Sequence, residues 1–221
     1  MTTAIIGTGG LGSAIARQLG AGGESLRLSS ADTESARKLA EAIGQAAVVA
    51  VDNHDALRGA DAVVLALRFS ALEGVIDEIA DSLVDRLVVV PSNPVGLDAQ
   101  GALIRLLPDG QSSGEVVAGW LPAEARLAMA FGTMSADIFE ASSRRTPQPA
   151  VLFYVTDDDR AGEELERLIR TAGFEPAKVG GIEQSSRLEV GGDLHDLVVG
   201  LAEAKSLIGG AAAGAGTGSS Q

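Results

Sequence analysis

Three glycines near the start of the chain, Gly7, Gly9 and Gly12 in IIGTGGLGSAIA, stand at G-x-G-x-x-G spacing. That spacing suits a diphosphate. Gly7 allows a tight turn out of a strand, and Gly9 lets backbone approach a pyrophosphate. Gly12 lets the next helix pack close to the sheet, so that its N-terminal N–H groups and dipole face the phosphates. In a chain with 28 glycines the spacing alone is weak, but here it follows a strand signal and opens a helix signal. The dinucleotide such a loop takes is read at the end of the second strand, where an acid would hold a ribose 2′-hydroxyl. Here that place holds Ser29 and Ser30, and Asp32 is placed to cap the following helix, with Thr33 as the competing cap. Two hydroxyls without a carboxylate favour a 2′-phosphate and so NADP(H), with Arg37 and Lys38 one turn further on as helpers.

A second candidate is MAFGTMSAD, residues 129–137, where an apolar run gives way to Gly132, Thr133, Ser135 and Ala136. Hydride moves between two flat rings when they stack with the reacting carbons ~3–3.5 Å apart, which asks for a wall almost free of side chains. Ala130, Gly132 and Thr133 would form that platform, at the C-terminal end of a strand where ligands bind in open α/β sheets. The plainer reading is a strand end in which Ser135 or Thr133 caps the helix over 135–142. The two are compatible.

Proton-relay chemistry finds little support. The one tyrosine, Tyr154, falls in a strand interior, and His54 is read as a solvated loop residue before a short helix. His195 has Asp193 and Asp196 beside it, which helix-start carboxylates explain better than a metal pair. TDDDR at 156–160 reads as a solvated helix start. Arg187 reads as structural, paired with Glu189 or a backbone carbonyl, and Trp120 as packing. Arg144 and Arg145 are surface charges or attractors for an anionic tail. Asn93 and Pro94, after the fifth strand, line the nicotinamide pocket or turn the chain. A flavin or deazaflavin acceptor, itself a ready electron sink, would ask mainly for stacking and orientation and would not need such a set.

These residues need a scaffold, and the pattern supplies one. Strand signals at 3–6, 25–30, 46–51, 61–67 and 86–92 alternate with helix signals, so a doubly wound, Rossmann-type parallel sheet is expected. Strands at 125–131, 150–156 and 175–180, with helices at 159–173 and 194–208, extend it as a smaller C-terminal α/β portion. The expected division is a dinucleotide-binding portion over 1–124, a portion completing the sheet and ring site over 125–208, and a flexible Gly/Ala/Ser tail over 209–221. With 46% hydrophobic but 3% aromatic residues, the core must be aliphatic. A net charge of −13 argues against nucleic acid and anionic membranes. Cysteine is absent, which removes thiolate chemistry and suits a cytoplasmic chain. No stretch reaches the ~20 apolar residues of a spanning helix, and a homodimer is the default assembly.

The set AIIGTGGLGSAIARQL, ADAVVLALRFSALEGVIDEI, VVVPSNPVG, LAMAFGTMSA and IEQSSRLEVGGDL, in that order, resembles the coenzyme F-420-dependent NADP oxidoreductase family over about residues 2–200. The resemblance implies hydride transfer between NADP(H) and deazaflavin. It implies that Thr8, Gly9, Gly10 and Leu11 contact the pyrophosphate, Ser30 the 2′-phosphate, and that Ala130 lies beside the nicotinamide. The family usually follows the serine with arginine and, shortly after, lysine; here Ala31 and Ser35 stand there. It usually has proline before an aromatic after the fourth strand; here Leu67 and Arg68 precede Phe69 at the mouth of the site. A nucleotide-binding redox sensor without catalysis is the alternative. An imine or hydroxy-acid reductase of the 6-phosphogluconate dehydrogenase kind ranks last, because little chain is left for its helical domain.

Overall fold

The computed structural model describes residues 1–214. Its first half alternates as the pattern requires: β1 (Thr2–Ile6), α1 (Gly10–Ala21), β2 (Ser25–Ser29), α2 (Thr33–Ile43), β3 (Ala47–Val49), α3 (Asn53–Leu57), β4 (Ala62–Leu65), α4 (Phe69–Ile79) and β5 (Leu87–Val90). A hairpin, β6 (Val95–Leu97) with β7 (Leu103–Arg105), then leads to α5 (Ser113–Trp120) and β8 (Arg126–Met129). The chain continues through α6 (Ala136–Ser142), β9 (Val151–Val155), α7 (Asp159–Thr171), β10 (Glu175–Gly180) and α8 (Leu201–Gly214).

Eight strands form one sheet in the order β10-β9-β8-β5-β4-β1-β2-β3. Strand residues are apolar on both faces, as a sheet covered by helices on two sides demands. Successive residues go to opposite cores: Ala4, Ile6, Val63, Leu65, Val88 and Val90 to one, and Ile5, Ala62, Val64, Leu87 and Val89 to the other. This period of two places α1, α2 and α7 on one face and α3, α4 and α5 on the other. The helices begin where capping chemistry permits. Asp32 accepts from the Ser35 N–H at 3.1 Å, Asp158 from that of Ala161 at 2.6 Å, and Ser112 with Glu115 closes a capping box.

Four features depart from the sequence expectation. The sheet is mainly parallel, but β9 meets β8 through an antiparallel pair, Met129 with Val155. The hairpin and α5 carry three-residue strands and an eight-residue helix, too short for a periodic signal. His54 lies within α3, not before it. The last helix starts at Leu201 rather than Leu194, because Leu194 is buried and pinned to the Arg187 carbonyl. That helix runs to Gly214, through residues 209–214 of the stretch read as a tail; residues 215–221 lie outside the described residues. Among the described residues no helix is long and apolar enough to cross a membrane.

Candidate functional site at the carboxyl edge of the sheet

The turn between β1 and α1 shows what each glycine does. Gly7 has φ +99°, and a Cβ there would overlap the Ala66 carbonyl; at Gly12 it would overlap the Gly7 carbonyl. Both are required by chain-to-chain approach. Around Gly9 there is open space within 4 Å, and it precedes α1 without any side-chain cap, so the first N–H groups of that helix remain available. The Thr8 carbonyl is held by the Ser13 hydroxyl at 2.8 Å, which fixes the turn, while the Thr8 hydroxyl is buried without a partner.

In front of this turn lies a cleft of about 430 Å³ bounded by Gly9–Gly12, Ala66–Phe69, Pro91–Asn93 and Val95. Arg68 is the one charged residue on its wall. A second, much smaller hollow of about 20 Å³, lined by Met129, Ala130, Gly132 and Thr133, shares Pro91, Ser92 and Asn93 with the cleft. A Cβ built on Gly10 would stand 3.8 Å from the Ala136 methyl. The glycine turn and the 129–136 ledge, more than 100 residues apart in sequence, are therefore neighbours.

The bulky residues of the ledge, Met129, Phe131 and Met134, are all buried in the cores. Phe131 takes φ +67° and is buried against Phe139 at 6.0 Å, on the far side of the strand end. Gly132 has a different reason from the expected one. A Cβ there would overlap the Pro91 carbonyl, so the crossing of two backbones already requires the glycine. Ser135 caps α6, accepting from the Ile138 N–H at 3.4 Å. Thr133 is 1% exposed with its hydroxyl unpartnered. Among the described residues three buried side-chain polar atoms lack a partner, and two are the hydroxyls of Thr8 and Thr133. Buried polar groups are nearly always satisfied, and these two hydroxyls belong to the glycine turn and to the ledge beside the small hollow.

At the end of β2 the hydroxyl of Ser29 donates to Asn53 Oδ1 at 2.7 Å, whereas Ser30 only accepts, at 3.3 Å, from the Asp32 N–H. Ser30 thus keeps its proton for a ligand. Asp32 is confirmed as the cap, and its carboxyl is held below the usual range by the Ser35 hydroxyl and N–H. The helper cations are otherwise engaged: Arg37 pairs with Glu34 and Glu41 and Lys38 with Glu34 along α2. Both helpers are exposed, and these surface pairs hold them only weakly. Asn93 borders both hollows and is positioned by the fold, donating to the Gly132 carbonyl and accepting from the Val190 N–H, each at 2.8 Å, which leaves its second N–H unused. It ties the ledge to the C-terminal segment. Leu67 lines the cleft, its carbonyl bonded to the Ser92 hydroxyl.

Residues 2–94 match the family described as NADP oxidoreductase coenzyme F420-dependent. That span takes in the glycine turn, both serines, Arg68 and Asn93, and stops before the ledge. The match supports an NAD(P)-dependent oxidoreductase. Among solved structures, a hypothetical protein from Sinorhizobium meliloti is 26% identical, with TM-score 0.79 over 90% of this chain and 95% of its own. A protein from Arthrobacter sp. FB24, named for an inferred F420-dependent NADP reductase activity, is 20% identical with TM-score 0.71, covering 82% and 86%. A reductive aminase from Aspergillus terreus, bound to NADPH and ethyl levulinate, is 15% identical with TM-score 0.62, and 58% of its length is covered against 86% of this chain. The last two likenesses carry the fold. A comparison with curated proteins finds no match.

One residue of the site went unread. Glu189 is 4% exposed, borders the small hollow beside Thr133, and accepts from the Ser113 N–H at 2.6 Å, the Ser113 hydroxyl at 2.8 Å and Arg105 at 2.9 Å. Arg187, expected to pair with it or with a carbonyl, bonds Asp193 at 2.7 Å and also the Leu207 carbonyl, and that contact holds the Asp193 carboxyl below its usual range. Glu189 stands among Glu183, Arg187 and Asp193, and nothing in that local pattern singles it out. His195 lies 3.1 Å from Asp196 in a turn, not at a helix start. Arg144 is spent on the Gln18 side chain and the Gln18, Thr171 and Ala172 carbonyls, away from the cleft, so it attracts no substrate tail. Trp120 packs on Phe69 at 5.5 Å.

Proposed function

We propose that this protein transfers a hydride between NADP(H) and a flat, two-electron ring acceptor, a deazaflavin of the coenzyme F-420 type or a flavin. The observation that carries the reading is the juxtaposition of the glycine turn with a ledge bearing an unpartnered Thr133 hydroxyl. The small hollow holds little more than a water, so the nicotinamide belongs in the larger cleft with its carboxamide toward Thr133. The coenzyme, when bound, supplies the hydride. The chain's part is to hold the diphosphate on the α1 N-terminus and Thr8, to set the ring's tilt through Thr133, and to keep Ala130 small beside it.

The acceptor side is supported by the hairpin. Cross-strand pairing puts Val95 with Arg105 and Leu97 with Leu103 on one face. Val95 lines the cleft and Arg105 reaches Glu189, so that face continues the cleft wall with Leu97 and Leu103 exposed on it. Exposed apolar side chains beside a polar phosphate cradle suit a planar aromatic partner. NADP over NAD rests on Ser30 and on the matched family. The homodimeric, cytoplasmic enzyme expected from the composition belongs to the same proposal.

The test is NADPH oxidation, followed by its absorbance, with deazaflavin, FMN and FAD in turn, and repeated with NADH. Turnover with one of them is expected. Tight nucleotide binding with no turnover on any would leave the alternative, a redox-sensing module, which Arg68 at the mouth and Ala31 in place of the family's arginine favour.

A further inference from the structure

We infer that Arg68 is the counter-charge for the coenzyme's diphosphate. The inference rests on dinucleotide binding, as proposed above, and not on the identity of the acceptor. Arg68 is exposed and has no ion pair or side-chain hydrogen bond among the described residues. It is the only charged residue on a cleft whose other walls are glycine backbone and apolar or neutral side chains. In a chain of net charge −13, an anionic ligand needs a local positive potential to bind. Arg68 precedes the first turn of α4, and Gly9 precedes that of α1, so two helix N-termini and one guanidinium bound the same hollow.

Sheet order decides which phosphate it meets. β1 has β4 on one side and β2 on the other. Ser29 and Ser30 follow the β2 side, where the adenine-end 2′-phosphate is read, while Arg68 leaves the β4 side. The glycine turn lies between them: the Gly7 N–H bonds the Ser29 carbonyl, and Gly7 also presses on Ala66. Arg68 therefore serves a charge common to NADPH and NADH, and does not discriminate between them.

Arg68→Gln should raise the dissociation constants of NADPH and NADH together, by roughly five- to tenfold, leaving their ratio unchanged. Arg68→Lys should recover most of the loss, and neither variant should shift the thermal midpoint, because the side chain has no partner to lose. Binding is read by nucleotide fluorescence, so the result does not depend on turnover. Weakening of NADPH alone would move Arg68 to the 2′-phosphate and overturn the inference. Unchanged binding of both, with a raised KM for FMN but not for riboflavin, would assign it to an acceptor phosphate and overturn it equally. A wild-type chain that binds no dinucleotide would instead defeat the reading of the site itself.

Discussion

Thr133 is the residue at which the reading of the ledge is most exposed to test. Its hydroxyl is buried and unpartnered, so Thr133→Val removes an unsatisfied group and should leave stability unchanged or slightly raised. If that hydroxyl meets the ring carboxamide, coenzyme affinity should fall by roughly tenfold, about 1.4 kcal/mol, in a nucleotide titration. Wild-type affinity in this variant would remove the ligand from Thr133. Tyr154 shows the opposite case, a polar group fully used by the fold. It donates to Glu166 at 2.7 Å, and burial first, then Glu166, pushes its pKa well up from 10.0. The folded state thus retains a proton that the unfolded chain loses. Stability from this group is complete below pH about 10 and is lost as pH rises beyond it. The loss of thermal stability above pH ~10 should therefore be shallower in Tyr154→Phe than in wild type, whatever offset the missing hydrogen bond adds.

At the scale of elements, the hairpin is held to the body by a buried carboxylate that sequence periodicity could not have revealed. Glu189→Ala would leave Arg105 and both donors of Ser113 without their acceptor. We expect a loss of about 2–3 kcal/mol in chemical denaturation. Arg105 contributes the smaller share, because its side chain is one-third exposed. Limited proteolysis should show earlier nicking at the turn over Asp98–Gly101. A variant with wild-type stability and wild-type cleavage would mean the tether is ornamental. The same region marks the limit of what was legible. The hairpin strands have three residues each, and nothing in VGLDAQGALIR alternates long enough to compete with a loop reading. By contrast, α7 carries an aspartate cap, an apolar stripe and Arg170 in its last turn, and was readable end to end.

One eight-stranded sheet organises the described residues, and both cores packed on it draw on both halves of the chain. One contains Ala4 and Val63 together with Leu127 and Phe153; the other contains Ile5 and Leu19 together with Ala128 and Phe139. The division at 124 and 125 falls between β5 and β8, which pair directly, Val88 with Leu127. Unfolding should therefore be a single transition, with Trp120 fluorescence and far-ultraviolet dichroism coinciding; separated transitions would show that the halves fold alone. The sequence by itself determined the layered α/β architecture, the glycine turn and the caps of α2 and α7, because each depends on residues within a turn or two of one another. Tertiary structure alone decided that Gly132 answers to Pro91 and that Glu189 holds the hairpin. It also decided that Arg68 stands free across the glycine turn from the serines. Those are relations between segments that only the closing of the sheet brings together, and no local pattern encodes a partner that far along the chain.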